Sequence, residues 1–259
     1  MKHICITTLI KDNKVNSALI ERLKQYGLKA TCLSWHDDLE KMSWIMPRQE
    51  LVSNQTAGWI LLAPKELIQK ESIRYGLSLL IITVLASKGT AFPILTLTDA
   101  PLPTIDKLPT PFRAMDFMNI ADPAAIPRLV ALIHNPTDKI SQKIEYRLDV
   151  YGNPQIGQWF EVGPTSKTWE GAMFGVSEAR ISFHAVGTKG GLPQRSTLNY
   201  PIKDMKVEFE DMKFLAWGLK NRITDHDSYY VKVEGWPKAI IFGAYPELDT
   251  AEVYMFKLK

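Results

Sequence analysis

Hydrophobic and polar positions follow two different rhythms along this chain. Up to about residue 140, short apolar runs alternate with segments of helical spacing. The runs cover residues 3–9, 29–34, 58–63, 92–97 and 115–120, each of strand length. Between the first two, Val15, Leu19, Ile20 and Leu23 recur at helical spacing, and Tyr26-Gly27 supplies a glycine stop signal. A second, strongly apolar helix starts at Ser72 and runs to about Ala86. Asp122-Pro123 opens a third, with aspartate as N-cap, proline in the first turn and Ile126, Leu129, Val130 and Ile133 as its inner face. Strand–helix alternation of this kind predicts a parallel sheet with helices on both faces, and right-handed crossovers give the strand order 2-1-3-4-5.

The second rhythm begins near residue 144. Residues 144–151, 159–162, 168–174, 179–186, 206–209, 213–219, 228–233, 239–242 and 252–257 are short runs rich in β-branched and aromatic side chains. Gly-Asn-Pro, Val-Gly-Pro, Gly-Thr-Lys-Gly-Gly and Glu-Gly-Trp-Pro separate some of them. In Tyr229-Tyr230-Val231-Lys232-Val233-Glu234 every second side chain can face a core. Such a series predicts an antiparallel, sandwich-like or barrel-like domain. The fold class expected for the chain is therefore α/β plus all-β. Residues 1–136 form the first domain, 137–143 the linker around Thr137-Asp138-Lys139, and 144–259 the second domain.

Composition narrows the function classes. At 259 residues the chain is long enough for two cores, and its formal net charge is only +3. Neither half carries a basic stripe, so no nucleic-acid partner is expected. The two cysteines, Cys5 and Cys32, fall inside expected strands, as buried, reduced thiols of a cytoplasmic protein do. No cleavable signal precedes the first strand, and no apolar run approaches the roughly 20 residues of a membrane span. A soluble, cytoplasmic protein without a membrane partner is expected.

Taken in element order, residues 1 to about 135 resemble a bacterial Toll/interleukin-1 receptor (TIR) domain. The resemblance rests on the first strand followed by Lys11-Asp12-Asn13-Lys14-Val15, like the family's S-K-D loop. It continues through the helix ending Gln25-Tyr26-Gly27-Leu28-Lys29, the long loop over residues 35–47, and a third strand ending at Pro64. Leu108-Pro109-Thr110-Pro111-Phe112-Arg113, before the fifth strand, is similar to the family's late segment. The resemblance implies a flavodoxin-like, TIR-like five-stranded parallel sheet, followed here by the β-sandwich-like domain. It implies a signalling or defence protein that acts by self-association or with a TIR-like partner, the second domain sensing a small-molecule ligand or docking a partner.

The family's enzymes cleave NAD at the nicotinamide–ribose bond with a glutamate early in the third helix, in a pattern like S-x-W-C-x-x-E-L. A carboxylate there stabilises the oxocarbenium-like sugar as nicotinamide leaves. Aligning Arg74-Tyr75-Gly76-Leu77 with the family's R-Y-E-L puts glycine at the glutamate. The alternative is an NAD nucleosidase with a displaced acid at Glu71, which five residues of helix rotate about 140° away from Gly76. Otherwise Glu71 is an ordinary first-turn acid favoured by the helix dipole. NAD is thus a possible substrate or ligand, and no cofactor is expected. Thr7, Thr8 and Asp12, after the first strand, are candidates to bond a ribose, or else plain loop caps. Trp35 and His36, after the second, are candidates to stack on a nicotinamide or base, or else a packed tryptophan and a solvated histidine.

In the second domain, Trp159, Trp169, Trp217 and Trp236 either line a ligand groove or fill an aromatic core. Asp225-His226-Asp227 reads as a polar turn rather than a metal site, because successive residues do not converge on one ion. Gly187-Thr188-Lys189-Gly190-Gly191 resembles a phosphate loop but precedes no helix, so it lacks the anion-binding geometry of a helix N-terminus.

Overall fold

The computed structural model describes residues 1–101, 104, 107–135, 144–246 and 252–259. Two compact units fall on either side of the Ser141–Gln142 bond. The expected linker, residues 137–143, lies outside the described residues.

The first unit is a mixed α/β unit built on one sheet. Strands β1 (His3–Thr8), β2 (Lys29–Ser34), β3 (Thr56–Leu62), β4 (Ile94–Thr98) and β5 (Asp116–Asn119) pair in parallel in the order β2-β1-β3-β4-β5. Helix α1 (Asn13–Gln25) and helix α5 (Ala125–His134) cover one face. Their Leu19, Leu23, Ile126, Leu129 and Ile133 pack with Ile4, Ile6, Ile60, Leu62, Leu95 and Leu97. Helix α1 ends where Gly27 takes a φ of 72° and the Leu28 N–H returns to Leu23 O at 3.1 Å. That left-handed position is one glycine occupies without a Cβ penalty.

Helix α4 (Glu71–Lys88) is buried without interruption from Tyr75 to Val84, as its unbroken apolar run requires. It packs with α2 (Arg48–Val52), α3 (Lys65–Ile68) and the 3-10 turns Ser43–Ile45 and Thr110–Ala114. Of these, only the turn Ser43–Ile45 lies within the long loop expected over residues 35–47. The expected N-cap role of Asp122 needs correcting. Helix α5 begins at Ala125, and the Asp122 carboxylate accepts the Ala124 N–H at 2.8 Å, closing the turn before the helix instead. Cys5 is buried, but Cys32 is only half-buried, because β2 is the edge of the sheet.

Among the described residues the second unit holds nine strands, all paired antiparallel. They are β6 (Tyr146–Asn153), β7 (Gly157–Pro164), β8 (Ala172–Val176), β9 (Arg180–Thr188), β10 (Ile202–Phe209), β11 (Met212–Leu219), β12 (Asp227–Glu234), β13 (Ala239–Ala244) and β14 (Tyr254–Lys257). One sheet runs β10-β11-β8-β13-β14 and the other β6-β7-β12-β9. The two meet through aromatic side chains. Phe160 on β7 lies 5.3 Å from Phe174 on β8, and Tyr146 on β6 lies 5.2 Å edge-on from Phe242 on β13.

Candidate functional site

The carboxyl ends of β1, β2, β3 and β4 form the edge of the parallel sheet where this topology places ligands. The backbone knits that edge together. Leu9 N–H donates to Leu62 O, Trp35 N–H to Thr8 O and Ala63 N–H to Leu97 O, all at 2.8–3.0 Å. The Thr7, Thr8, Asp12 and His36 side chains each have a partner in the fold, whereas the buried Trp35 Nε1 has none among the described residues. The buried Thr7 hydroxyl accepts the Trp59 indole N–H at 3.1 Å. The Thr8 hydroxyl accepts the Ile10 N–H at 3.1 Å. Asp12 is exposed and caps α1 by accepting the Lys14 N–H at 2.8 Å. His36 is exposed, its Nδ1 3.2 Å from Ser34 O.

The centre of the site is the contact between Trp35 and Gly76. A Cβ on Gly76 would stand 2.9 Å from Trp35 Cζ2, 3.3 Å from Trp35 Cη2 and 3.3 Å from Trp44 Cβ. Two tryptophans of the loop therefore occupy the space above Gly76, and the missing side chain is what admits the Trp35 ring. The same loop is tied to the start of α4, where Ser72 Oγ donates to Asp37 Oδ2 at 2.9 Å. Glu71 stands in the first turn of α4 and is exposed, whereas Gly76 is buried. A glycine inside an apolar helix signals a close approach of something bulky. The sequence alone does not say that the bulky partner is Trp35. Trp44, on the 3-10 turn, was missed altogether.

In the second unit, the glycine loop after β9 faces an anion supplied by the protein itself. Glu161, 4% exposed, accepts the Gly190 N–H at 2.9 Å and the Ser228 hydroxyl at 2.6 Å, and its other oxygen accepts the Tyr151 hydroxyl. Gly191 N–H reaches the Tyr230 hydroxyl at 3.3 Å. Burial first, then the bond to Glu161, drives the Tyr151 hydroxyl far above its ordinary pKa, and burial pushes Tyr230 up to about 12. Beside this cluster, Arg147 donates to the carbonyls of Pro164, Asp225 and Asp227 and to Ser228 Oγ. Sequence reasoning did not find Glu161 or Arg147, since nothing in the local pattern of either strand marks it.

Asp225-His226-Asp227 closes on itself: Asp227 accepts the Thr224 hydroxyl at 2.6 Å, and the Lys189 N–H donates to His226 O at 2.9 Å. Among the described residues no three His, Cys, Asp or Glu side chains converge as a metal site requires. Trp169 and Trp217 are buried, while Trp159 is half-buried on the outer face of its sheet. No helix among the described residues is long and apolar enough to cross a membrane. No protein-family model matches the chain, and no curated protein matches it.

Proposed function

We propose that residues 1 to about 135 form a flavodoxin-like, TIR-like unit that acts in signalling or defence by self-association or with a TIR-like partner, without cleaving NAD. Residues 144–259 then serve as a β-sandwich-like module that senses a small ligand or docks a partner. The observation that carries the reading is the Trp35–Gly76 contact. At the position aligned with the family's glutamate there is no charge, and the Trp35 ring uses the volume a side chain needs. The Trp35 ring brings no carboxylate to the position from which the family's glutamate stabilises a developing oxocarbenium ion. Loss of one preorganised charge of this kind costs on the order of a hundred- to a thousandfold in rate.

The test is nicotinamide release by the purified full chain, dilute, concentrated and with crowding agents, alongside its mass in solution. The expected result is background release by a protein that self-associates. Gly76→Glu alone displaces Trp35, so the informative rescue is the double variant Trp35→Ala/Gly76→Glu, which supplies both acid and room. Steady release by the wild-type chain, abolished by Glu71→Gln, would overturn the reading in favour of the displaced-acid NAD nucleosidase.

A further inference from the structure

Among the described residues the three sheets end in six outer strands, and five of these are shielded from pairing by another strand. Strands β5 and β14 are only four residues long. Strand β10 carries Lys203, Asp204, Lys206 and Glu208, a positive φ at Asp204 and a break in register. The pairing of β9 with β12 slips between Lys232 and Val233, and the Val186 N–H of β9 is taken by Ser196 Oγ. On β6, Asp149 Oδ1 accepts the Val150 N–H at 2.7 Å. Short length, charge, bulges and side-chain caps are the devices by which natural sheets keep their edges from pairing.

Strand β2 carries these devices only at its two ends, the Lys29 charge at the first residue and His36 Nδ1 3.2 Å from Ser34 O at the last, and none between them. Its six residues, Lys-Ala-Thr-Cys-Leu-Ser, include no proline and one charge, at the first position, and its register with β1 is unbroken. The direction of its backbone groups follows from the bonds at its two ends. Lys29 N–H donates to Lys2 O and Trp35 N–H to Thr8 O, both toward β1. Strand alternation therefore turns residues 29, 31, 33 and 35 inward, and Ala30, Cys32 and Ser34 present their N–H and C=O groups outward.

We propose that this outer edge of β2 is a self-association surface that pairs antiparallel with β2 of a second copy about a two-fold axis, making one sheet across both. This rests on the self-association reading above for the identity of the partner. Only outward-facing residues can exchange backbone bonds, and the register that pairs all three of them puts Cys32 opposite Cys32 of the second copy and Ala30 opposite its Ser34. Charge favours this direction. The exposed Lys29 at the start of one strand comes beside the exposed Asp37 just past the end of the other, whereas a parallel pairing puts lysine against lysine. The two-fold arrangement also closes, satisfying both edges at once.

The test uses the full chain. Cys32→Pro removes an outward N–H and no bond to β1, which is the kind of edge position that accepts proline. The expected result is a wild-type dimer whose apparent mass halves in Cys32→Pro while its circular dichroism and thermal midpoint hold. In wild-type protein, mild oxidation joins the chains through Cys32, because hydrogen-bonded antiparallel partners stand about 5.5 Å apart at Cα, within disulfide reach. That covalent dimer survives Cys5→Ser and is lost in Cys32→Ser. A wild-type dimer that persists in folded Cys32→Pro overturns this surface but leaves self-association standing. A monomer at every concentration overturns both. If Cys32→Pro does not fold, the oxidation decides, and a dimer that yields no Cys32 cross-link overturns the proposal.

Discussion

Among the described residues, the buried polar side chains of the first unit are threonines, serines and a single asparagine, whereas the second unit also buries Glu161 and His184. The difference shows in how each interior is satisfied. A hydroxyl such as Thr7 or Thr8 finds a partner within its own strand, the next strand or the adjoining turn, and its bond is indifferent to pH. A buried carboxylate, guanidinium or imidazole needs several partners brought from distant segments. Glu161 draws on β6, β12 and the loop after β9, and Arg147 on three separate backbone carbonyls. The first unit is thus sensitive chiefly to volume, as at Gly76, and the second to charge.

The largest way to separate them is to remove Arg147. Its guanidinium fits because Gly163 leaves room, a Cβ there standing 2.7 Å from Arg147 Nη2. Arg147→Ala takes a charged donor from three carbonyls, of which Asp225 O keeps Lys189 Nζ at 3.0 Å, and leaves the Ser228 hydroxyl bonded to Glu161, a loss on the order of 3 kcal/mol. Hydrogen exchange should show β6, β7 and β12 losing protection while β1, β3 and β4 keep theirs. Equal loss in both units would mean that the charge-rich and hydroxyl-rich interiors are not separate.

Acid should divide the units next. His184 is 4% exposed, with Nδ1 2.8 Å from the Tyr229 hydroxyl and its ring edge-on to Trp217. Lys203 stands over that indole at 4.4 Å, and the indole N–H donates to Asp204 at 3.1 Å. Burial first, then Lys203, lowers the His184 pKa from 6.5 to about 4. The unfolded chain therefore binds the proton more readily than the folded one. The stabilisation is complete above pH 6.5 and is lost as pH falls toward 4, by about 3 kcal/mol in all. His184→Gln should flatten that slope in the second unit and leave the first unchanged, as unit-resolved hydrogen exchange against pH would show.

Much of this architecture was legible in the sequence, for identifiable reasons. Strands β1, β3 and β4 are apolar runs buried on both faces, and the expected run at residues 29–34 coincides with the less buried edge strand β2. The nine strands of the second unit are set apart by changes of pattern and turn signals, so their number was readable although their ends shift by up to four residues. The helices α2 and α3 were not readable, because four or five residues are too few to display a period. At the candidate site, the family resemblance singled out Gly76 and the expected strand ends singled out Trp35 and the threonines, but neither gave the Trp35–Gly76 contact, which joins residues far apart in sequence. Glu161, Arg147 and His184 escaped for the same reason, since their hydrogen-bond partners lie on other strands and loops.

The smallest effect concerns a charge that the first unit does expose. Asp12 accepts the Lys14 N–H and caps α1, and α1 has no acidic residue in its first turn to share that work. Asp12→Ala should cost about 1 kcal/mol, the usual price of a lost N-cap. Asp12→Asn separates capping from charge. Asparagine caps a helix about as well as aspartate, so the thermal midpoint should stay within a degree or two of wild type, while any contact that depends on the carboxylate's charge is lost. If Asp12→Asn destabilises the chain as much as Asp12→Ala does, the charge itself stabilises the first unit. The contrast with the second unit would then hold for buried groups alone.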